Sequence, residues 1–175
     1  MPNAPQSPDA PSSHRDKDPS SVRCLVITVS DTRTDRDDRG GSLAVELLEA
    51  AGHMVKEKRI VPDEPSLIAA AVNEASQDES MDAVLLTGGT GVSARDQTPE
   101  AIAPLLTKEL PGYGELLRQL SYEEIGPMAL LSRAVGGVAG GTIVLTMPGS
   151  PAAVRLAVEK VIAPTLSHLV REATK

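Results

Sequence analysis

Phenylalanine and tryptophan are absent from this 175-residue chain, and tyrosine occurs only twice. Stacking platforms for unpaired bases are therefore scarce, which argues against single-strand nucleic-acid binding by aromatic stacking. Cysteine is nearly absent too. Cys24 lies in the apolar run Cys24-Leu25-Val26-Ile27 with no Cys or His at zinc spacing, so it reads as core packing rather than as part of a disulfide framework or a metal module. His14, His53 and His168 stand apart in the sequence, and none has the setting of a general base. No apolar stretch reaches the roughly 20 residues needed to cross a bilayer. Residues 1–21, rich in Pro, Ser and Asp, lack the apolar segment of a signal peptide. They read as a disordered tail ahead of one domain over 22–175, in a cytoplasmic protein with no membrane contact. The formal net charge of -7 works against a nonspecific grip on phosphate backbones, so an anionic ligand has to be met locally.

Hydrophobic residues make up 41% of the chain, so the core is built from aliphatic side chains and methionine. The continuous apolar run at 23–30 reads as a strand covered on both faces. Residues 41–51 carry Leu43, Val45, Leu47 and Leu48 at mostly helical spacing, with Gly52 placed as a C-cap. The charged segment 54–61 suits a strand nearer the sheet edge. A second helix is expected over 65–76, with Asp63 or Glu64 to cap it, and a short buried strand over 83–87. Thr98-Pro99-Glu100 reads as a helix start with Thr98 as N-cap. A further helix is expected over 114–124, with Leu116, Leu117 and Leu120 on one side. Residues 142–147 read as a strand and 152–173 as one or two helices interrupted at Pro164. Strands alternating with helices predict a three-layer α/β/α fold, a mostly parallel sheet with helices on both faces.

Such sheets bind ligands beyond the carboxyl ends of their strands, and here each strand end meets a small or polar loop. These loops are Ser30-Asp31, Pro62-Asp63-Glu64, Thr87-Gly88-Gly89-Thr90-Gly91-Val92-Ser93-Ala94-Arg95-Asp96, and Pro148-Gly149-Ser150-Pro151. Three glycines in four residues let backbone amides converge on a phosphate. A glycine cluster alone is equally a tight strand-to-helix turn. The hydroxyls of Thr87, Thr90 and Ser93, with Arg95 beside Asp96, tip the reading toward a polyanion held with a divalent cation. Asp63 and Asp96 are the two acids placed to hold Mg²⁺, although an Asp before a helix is commonly a cap. No Gly-Lys-Ser/Thr ending is present, which argues against P-loop chemistry. The charged loop 31–39 reads first as solvated surface and second as a flap. Tyr113 and Tyr122 read as core or interface packing.

Taken in order, Val29-Ser30-Asp31, Thr87-Gly88-Gly89-Thr90-Gly91, Arg95-Asp96-Gln97-Thr98-Pro99, Leu110-Pro111-Gly112-Tyr113-Gly114, Leu131-Ser132-Arg133 and Met147-Pro148-Gly149-Ser150 resemble the molybdopterin-binding domain family over about residues 22–170. Residues 30–34, 120–126 and the single-domain length are most similar to the B-type molybdenum cofactor biosynthesis proteins, relatives of the stand-alone molybdopterin adenylyltransferases. The resemblance implies a homo-oligomer, trimer or hexamer, that takes molybdopterin and ATP with Mg²⁺. It implies attack of the pterin's terminal phosphate on the α-phosphate of ATP, giving adenylyl-molybdopterin and pyrophosphate ahead of metal insertion by a downstream insertase. By the same carry-over Asp96 holds Mg²⁺ and nucleotide phosphates, Asp63 orients the pterin or the metal, and Ser132 with Pro148, Gly149 and Ser150 lines the pterin side. Some B-type proteins lack the acid at the position of Asp63 and bind without transferring; this chain has both acids. A carrier without catalysis is the alternative, and a nucleotide-hydrolysing subunit the third reading. The run Asp35-Arg36-Asp37-Asp38-Arg39 departs from the stand-alone adenylyltransferases.

Overall fold

In the computed structural model, which describes residues 18–175, the run Cys24-Leu25-Val26-Ile27 forms the centre of strand β1 (Arg23–Val29), buried everywhere past Arg23. Its side chains alternate between two cores, as a period of two requires. Cys24 and Val26 join one cluster, while Leu25, Ile27 and Val29 join the other. Strands β3 (Ala83–Thr87) and β6 (Thr142–Met147) are likewise fully buried. They split in the same way, with Leu85 and Leu145 on the first face and Leu86 and Val144 on the second. Strand β2 (Met54–Val61) is exposed or half-buried everywhere but at Val61, as its charges predict for a sheet edge.

Helices α1 (Arg39–Ala50), α4 (Pro111–Ile125), α5 (Pro151–Ala157) and α6 (Ala163–Ala173) supply the first core with Leu48, Leu117, Val154 and Leu166. Helices α2 (Pro65–Gln77) and α3 (Thr98–Ile102) cover the second with Ile68, Val72 and Ile102. The result is the expected three-layer arrangement. The sheet order is β2-β1-β3-β6 followed by β5 (Gly136–Ala139) and β4 (Lys108–Glu109), and the first four strands are mutually parallel. Sequence reasoning did not find β5 or β4, which extend the sheet antiparallel to β6 and to β5 respectively.

Several local expectations need correction. Gln97, not Thr98, occupies the cap position of α3, and Thr98 is already helical. Glu64 precedes α2 but makes no side-chain cap; its carboxylate accepts from the Ser66 hydroxyl at 2.7 Å. Helix α1 begins two residues earlier than expected because Asp38 Oδ1 accepts from Gly41 N at 2.9 Å. Leu116 is exposed while Leu117 is buried. The C-terminal helical region is interrupted at Val158–Ile162, a wide π-type turn, and Pro164 lies just beyond it in α6; the widening accommodates the missing N–H and the ring. Tyr113 is core, its hydroxyl donating to Thr146 O at 2.8 Å, whereas Tyr122 is exposed. Burial pushes the Cys24 thiol up to about 12, consistent with an inert packing role.

Of the expected N-terminal tail, residues 1–17 lie outside the described residues. The carboxylate of Asp18 pairs with Arg171 on α6 at 2.8 Å. Among the described residues no helix is long and apolar enough to cross a membrane.

Candidate functional site at the carboxyl ends of the parallel strands

Because β1, β2, β3 and β6 run parallel, their following loops emerge on one side, and main-chain hydrogen bonds tie them together. Ser30 N donates to Val61 O at 2.9 Å and Gly88 N donates to Met147 O at 3.0 Å. Gly88 and Gly89 adopt φ of +100° and +65°, a region that L side chains disfavour. A Cβ on Gly88 would also run into the Val29 carbonyl. Glycine here allows the ends of β1 and β3 to approach closely, at the point where the sheet order changes direction.

Both singled-out acids face this turn. A Cβ built on Gly89 would stand 3.2 Å from Asp63 Oδ1, and one on Gly91 would stand 2.8 Å from Asp96 Oδ2. Burial, and after it the charge of Asp96, raises the Asp63 carboxyl above its ordinary value. Two carboxylates gathered on one glycine loop, one of them raised by the other's charge, form an oxygen donor set suited to a hard divalent cation. Among the described residues no group of three Asp, Glu, His or Cys could hold a metal. Phosphate oxygens and water would have to complete the shell, as is usual for Mg²⁺.

The remaining predicted residues divide by what their polar groups touch. Asp31 Oδ1 accepts from Asp63 N at 3.0 Å, and its other oxygen pairs with Arg95. Ser30 Oγ accepts from Arg33 N at 3.2 Å. Thr87 Oγ1 donates to Pro148 O at 3.2 Å and Thr98 Oγ1 to Gly88 O at 2.9 Å. These two threonines are buried and fasten the loops to one another. Ser93 N donates to Asp96 Oδ2 at 2.8 Å, and Pro99 is buried in α3. Ser150 caps α5, accepting from Ala153 N at 3.3 Å.

Two recesses flank the turn. One, of about 280 Å³, lies between Gly89-Thr90-Gly91 with Asp96, the Pro148-Gly149-Ser150 turn, and Ser132. The Ser132 hydroxyl is enclosed with no hydrogen-bond partner, and Ile125 and Met128 form an apolar wall. The other, of about 580 Å³, opens between the start of α1 and the start of α5, over Ser30, Thr87 and Gly88. Gly149 and Ser150 border both.

Sequence reasoning missed two contributors. Asp38 is buried and bonded to Thr28 Oγ1 at 2.8 Å and to Lys58 Nζ at 3.0 Å, so the charged loop 31–39 ends in an anchored wall of the larger recess. Arg133 reaches back to the glycine loop, with Nε 2.6 Å from Gly91 O and Nη2 2.7 Å from Asp96 O. The only sequence signal was its place after Leu131-Ser132 in the motif set.

Comparison with known proteins agrees with this architecture. A family model described as "probable molybdopterin binding domain" matches residues 25–168. The molybdenum cofactor biosynthesis protein B of Bacillus subtilis (strain 168) is 52% identical over 163 residues, covering 93% of this chain and 96% of that protein. A crystal structure of a molybdenum cofactor biosynthesis protein B superposes with a TM-score of 0.86 at 49% identity, over 89% of this chain and 97% of the other. The tungsten cofactor synthesizing protein MoaB from Pyrococcus furiosus superposes with a TM-score of 0.81 at 38% identity, over 90% and 99% of the two chains. With its fold and nearly its whole described length matched, the chain belongs to the molybdopterin-binding domain family.

Proposed function

We propose that the protein acts in molybdenum cofactor biosynthesis as a molybdopterin adenylyltransferase, with Asp63 and Asp96 at its centre. The observation that carries this reading is the convergence of these two carboxylates on the Gly88 to Gly91 turn, with Asp63 raised by burial and by Asp96. Mg²⁺, when bound there, would supply charge neutralisation for the nucleotide phosphates. Asp96 would hold the metal and, through it, the nucleotide phosphates, and Asp63 would orient the pterin phosphate or the metal. Molybdopterin occupies the smaller recess, where Ser132 offers its unpartnered hydroxyl and Ile125 and Met128 offer apolar surface. The larger recess, flanked by the starts of α1 and α5, takes the nucleotide, since helix N-termini favour anions.

The pterin's terminal phosphate oxygen forms a bond to the α-phosphorus of ATP as the bond to the β-phosphate bridging oxygen breaks, and pyrophosphate leaves. No protein nucleophile is required, so the contribution of the chain is positioning and charge placement. As the family resemblance implies, the active form is a homo-oligomer, trimer or hexamer, and the adenylylated pterin passes to a metal insertase.

The test mixes purified protein with molybdopterin, ATP and Mg²⁺ and follows adenylyl-molybdopterin. The parent forms product, and Asp63→Ala and Asp96→Ala lose on the order of 100-fold in rate with their fold intact. Tight pterin binding without product would replace this reading with a carrier. Failure to retain pterin would remove both.

A further inference from the structure

Arg133 lies outside both acids and outside the residues placed against substrate, yet its hydrogen bonds hold together the two walls of the smaller recess. Its backbone N donates to Thr90 O at 2.9 Å. Its guanidinium donates through Nε to Gly91 O at 2.6 Å and through Nη2 to Asp96 O at 2.7 Å. The third nitrogen, Nη1, pairs with Glu100 at the start of α3. A planar guanidinium spreads its donors over three nitrogens in fixed directions and here bridges two carbonyls and a carboxylate at once, whereas a lysine offers three rotatable donors on a single nitrogen.

Apart from Arg133, the loop is held by the Asp31–Arg95 ion pair and by Thr98 N on Gly89 O, neither of which bonds to Asp96. Residues 92–95 are exposed, and Asp96 reaches its neighbours mainly through its own bond from Ser93 N and its backbone N to Ser93 O. On the other side, the residue before Arg133 is Ser132, whose enclosed hydroxyl has no partner. Glu100 locally balances the guanidinium charge, so what remains for Arg133 to provide is geometry.

We propose that Arg133 is a positioning residue that fixes Asp96 relative to Ser132, and so sets the spacing between the metal-holding wall and the pterin-holding wall of the site. The inference rests on the reading of Asp63 and Asp96 as a metal-holding pair. Residues that orient a metal ligand without touching the metal typically change affinity or activity by 10–100-fold when removed, and Arg133 is expected to behave in this way.

The experiment titrates Mn²⁺ in the presence of ATP, followed by the loss of the free-ion electron paramagnetic resonance signal, for the parent, Arg133→Met, Arg133→Lys and Glu100→Gln. Adenylyl transfer and thermal melting are measured alongside. Arg133→Met weakens Mn²⁺ binding by about 10–100-fold and lowers kcat more than it raises KM for the pterin. Arg133→Lys recovers part of the affinity through one carbonyl, and Glu100→Gln stays near the parent because both carbonyl contacts survive.

Parent-like Mn²⁺ affinity and kcat in Arg133→Met, whatever its melting temperature, would overturn the inference. So would a defect in Glu100→Gln as large as that of Arg133→Met, which would make the ion pair the operative contact. Should Arg133→Met fail to fold, Arg133→Lys decides, since parent-like affinity there overturns the inference and an intermediate value upholds it. A fall in Mn²⁺ affinity in Arg133→Met, when the parent itself makes no adenylylated product, would sink the transferase reading and leave this one standing. Product made equally well by the parent and Arg133→Met would sink only this one.

Discussion

Asp63 illustrates how a residue proposed to hold a ligand can work against the fold that carries it. Its carboxyl is raised by burial and by Asp96, so the folded state binds that proton more tightly than the unfolded chain. The contribution of such a group to stability is fully present below the unfolded carboxylate pKa and is lost as pH rises through the folded one, which leaves ionised Asp63 a liability at neutral pH. Asp63→Asn is therefore expected to melt slightly higher than the parent at pH 7, with the difference closing as pH falls through the carboxylate range. A Tm series from pH 7 to pH 3 checks this; a gap that persists at pH 3, or a lower Tm at pH 7, would contradict it. Gly88 is a second residue whose role is legible at this scale. Its positive φ and the closeness of Val29 O make Gly88→Ala costly by at least ~1–3 kcal/mol, readable as a lower midpoint in urea with an unchanged m-value.

Elements with long aliphatic runs or clear 3.6-residue stripes were legible in the sequence: β1, β3, β6 and α2 sit where the pattern puts them, α1 starts two residues early, and β2 was read from its charges. The antiparallel extension was not legible, because β4 has two residues and β5 opens with Gly136-Gly137, and glycine weakens any strand signal. The same physics hid Arg133: a side chain that binds main-chain carbonyls some forty residues away leaves no local pattern. Asp63 and Asp96 could be read because each follows a strand end, whereas Asp38, in a run of alternating charges, resembled its solvated neighbours until the fold buried it. The β5–β6 hairpin turns on Gly140 and Gly141, with φ of +59° and +96° and Ala139 paired with Thr142. Two central residues with positive φ match the tight turn for which Asn-Gly is the favoured pair. A Cβ on Gly140 meets nothing nearer than Ser76 O at 3.6 Å. Gly140→Asn is thus expected to stabilise by roughly 0.4–1 kcal/mol by restricting the unfolded chain, and Gly140→Val to destabilise, with chemical denaturation of the pair deciding between turn chemistry and simple loop tolerance.

Across the whole molecule, the two aliphatic cores are opposite faces of the same central strands, and the candidate site is a set of loops hydrogen-bonded across the ends of those strands. A ligand seated there touches loops that continue directly into β1, β3 and β6, so binding is coupled to the unfolding of both cores rather than to a local opening. A ligand that binds only the folded state at a hundred times its Kd stabilises by about 2.7 kcal/mol, which for a domain of this size is a Tm rise of roughly 5–10 °C. ATP with Mg²⁺ is expected to produce such a rise in a single transition, ATP with EDTA a much smaller one, and Asp96→Asn to abolish the difference between them. Differential scanning calorimetry with and without chelator makes the measurement. A rise that survives EDTA and Asp96→Asn would mean that the nucleotide is held by the helix N-termini alone, and that the two aspartates serve the pterin instead of the metal.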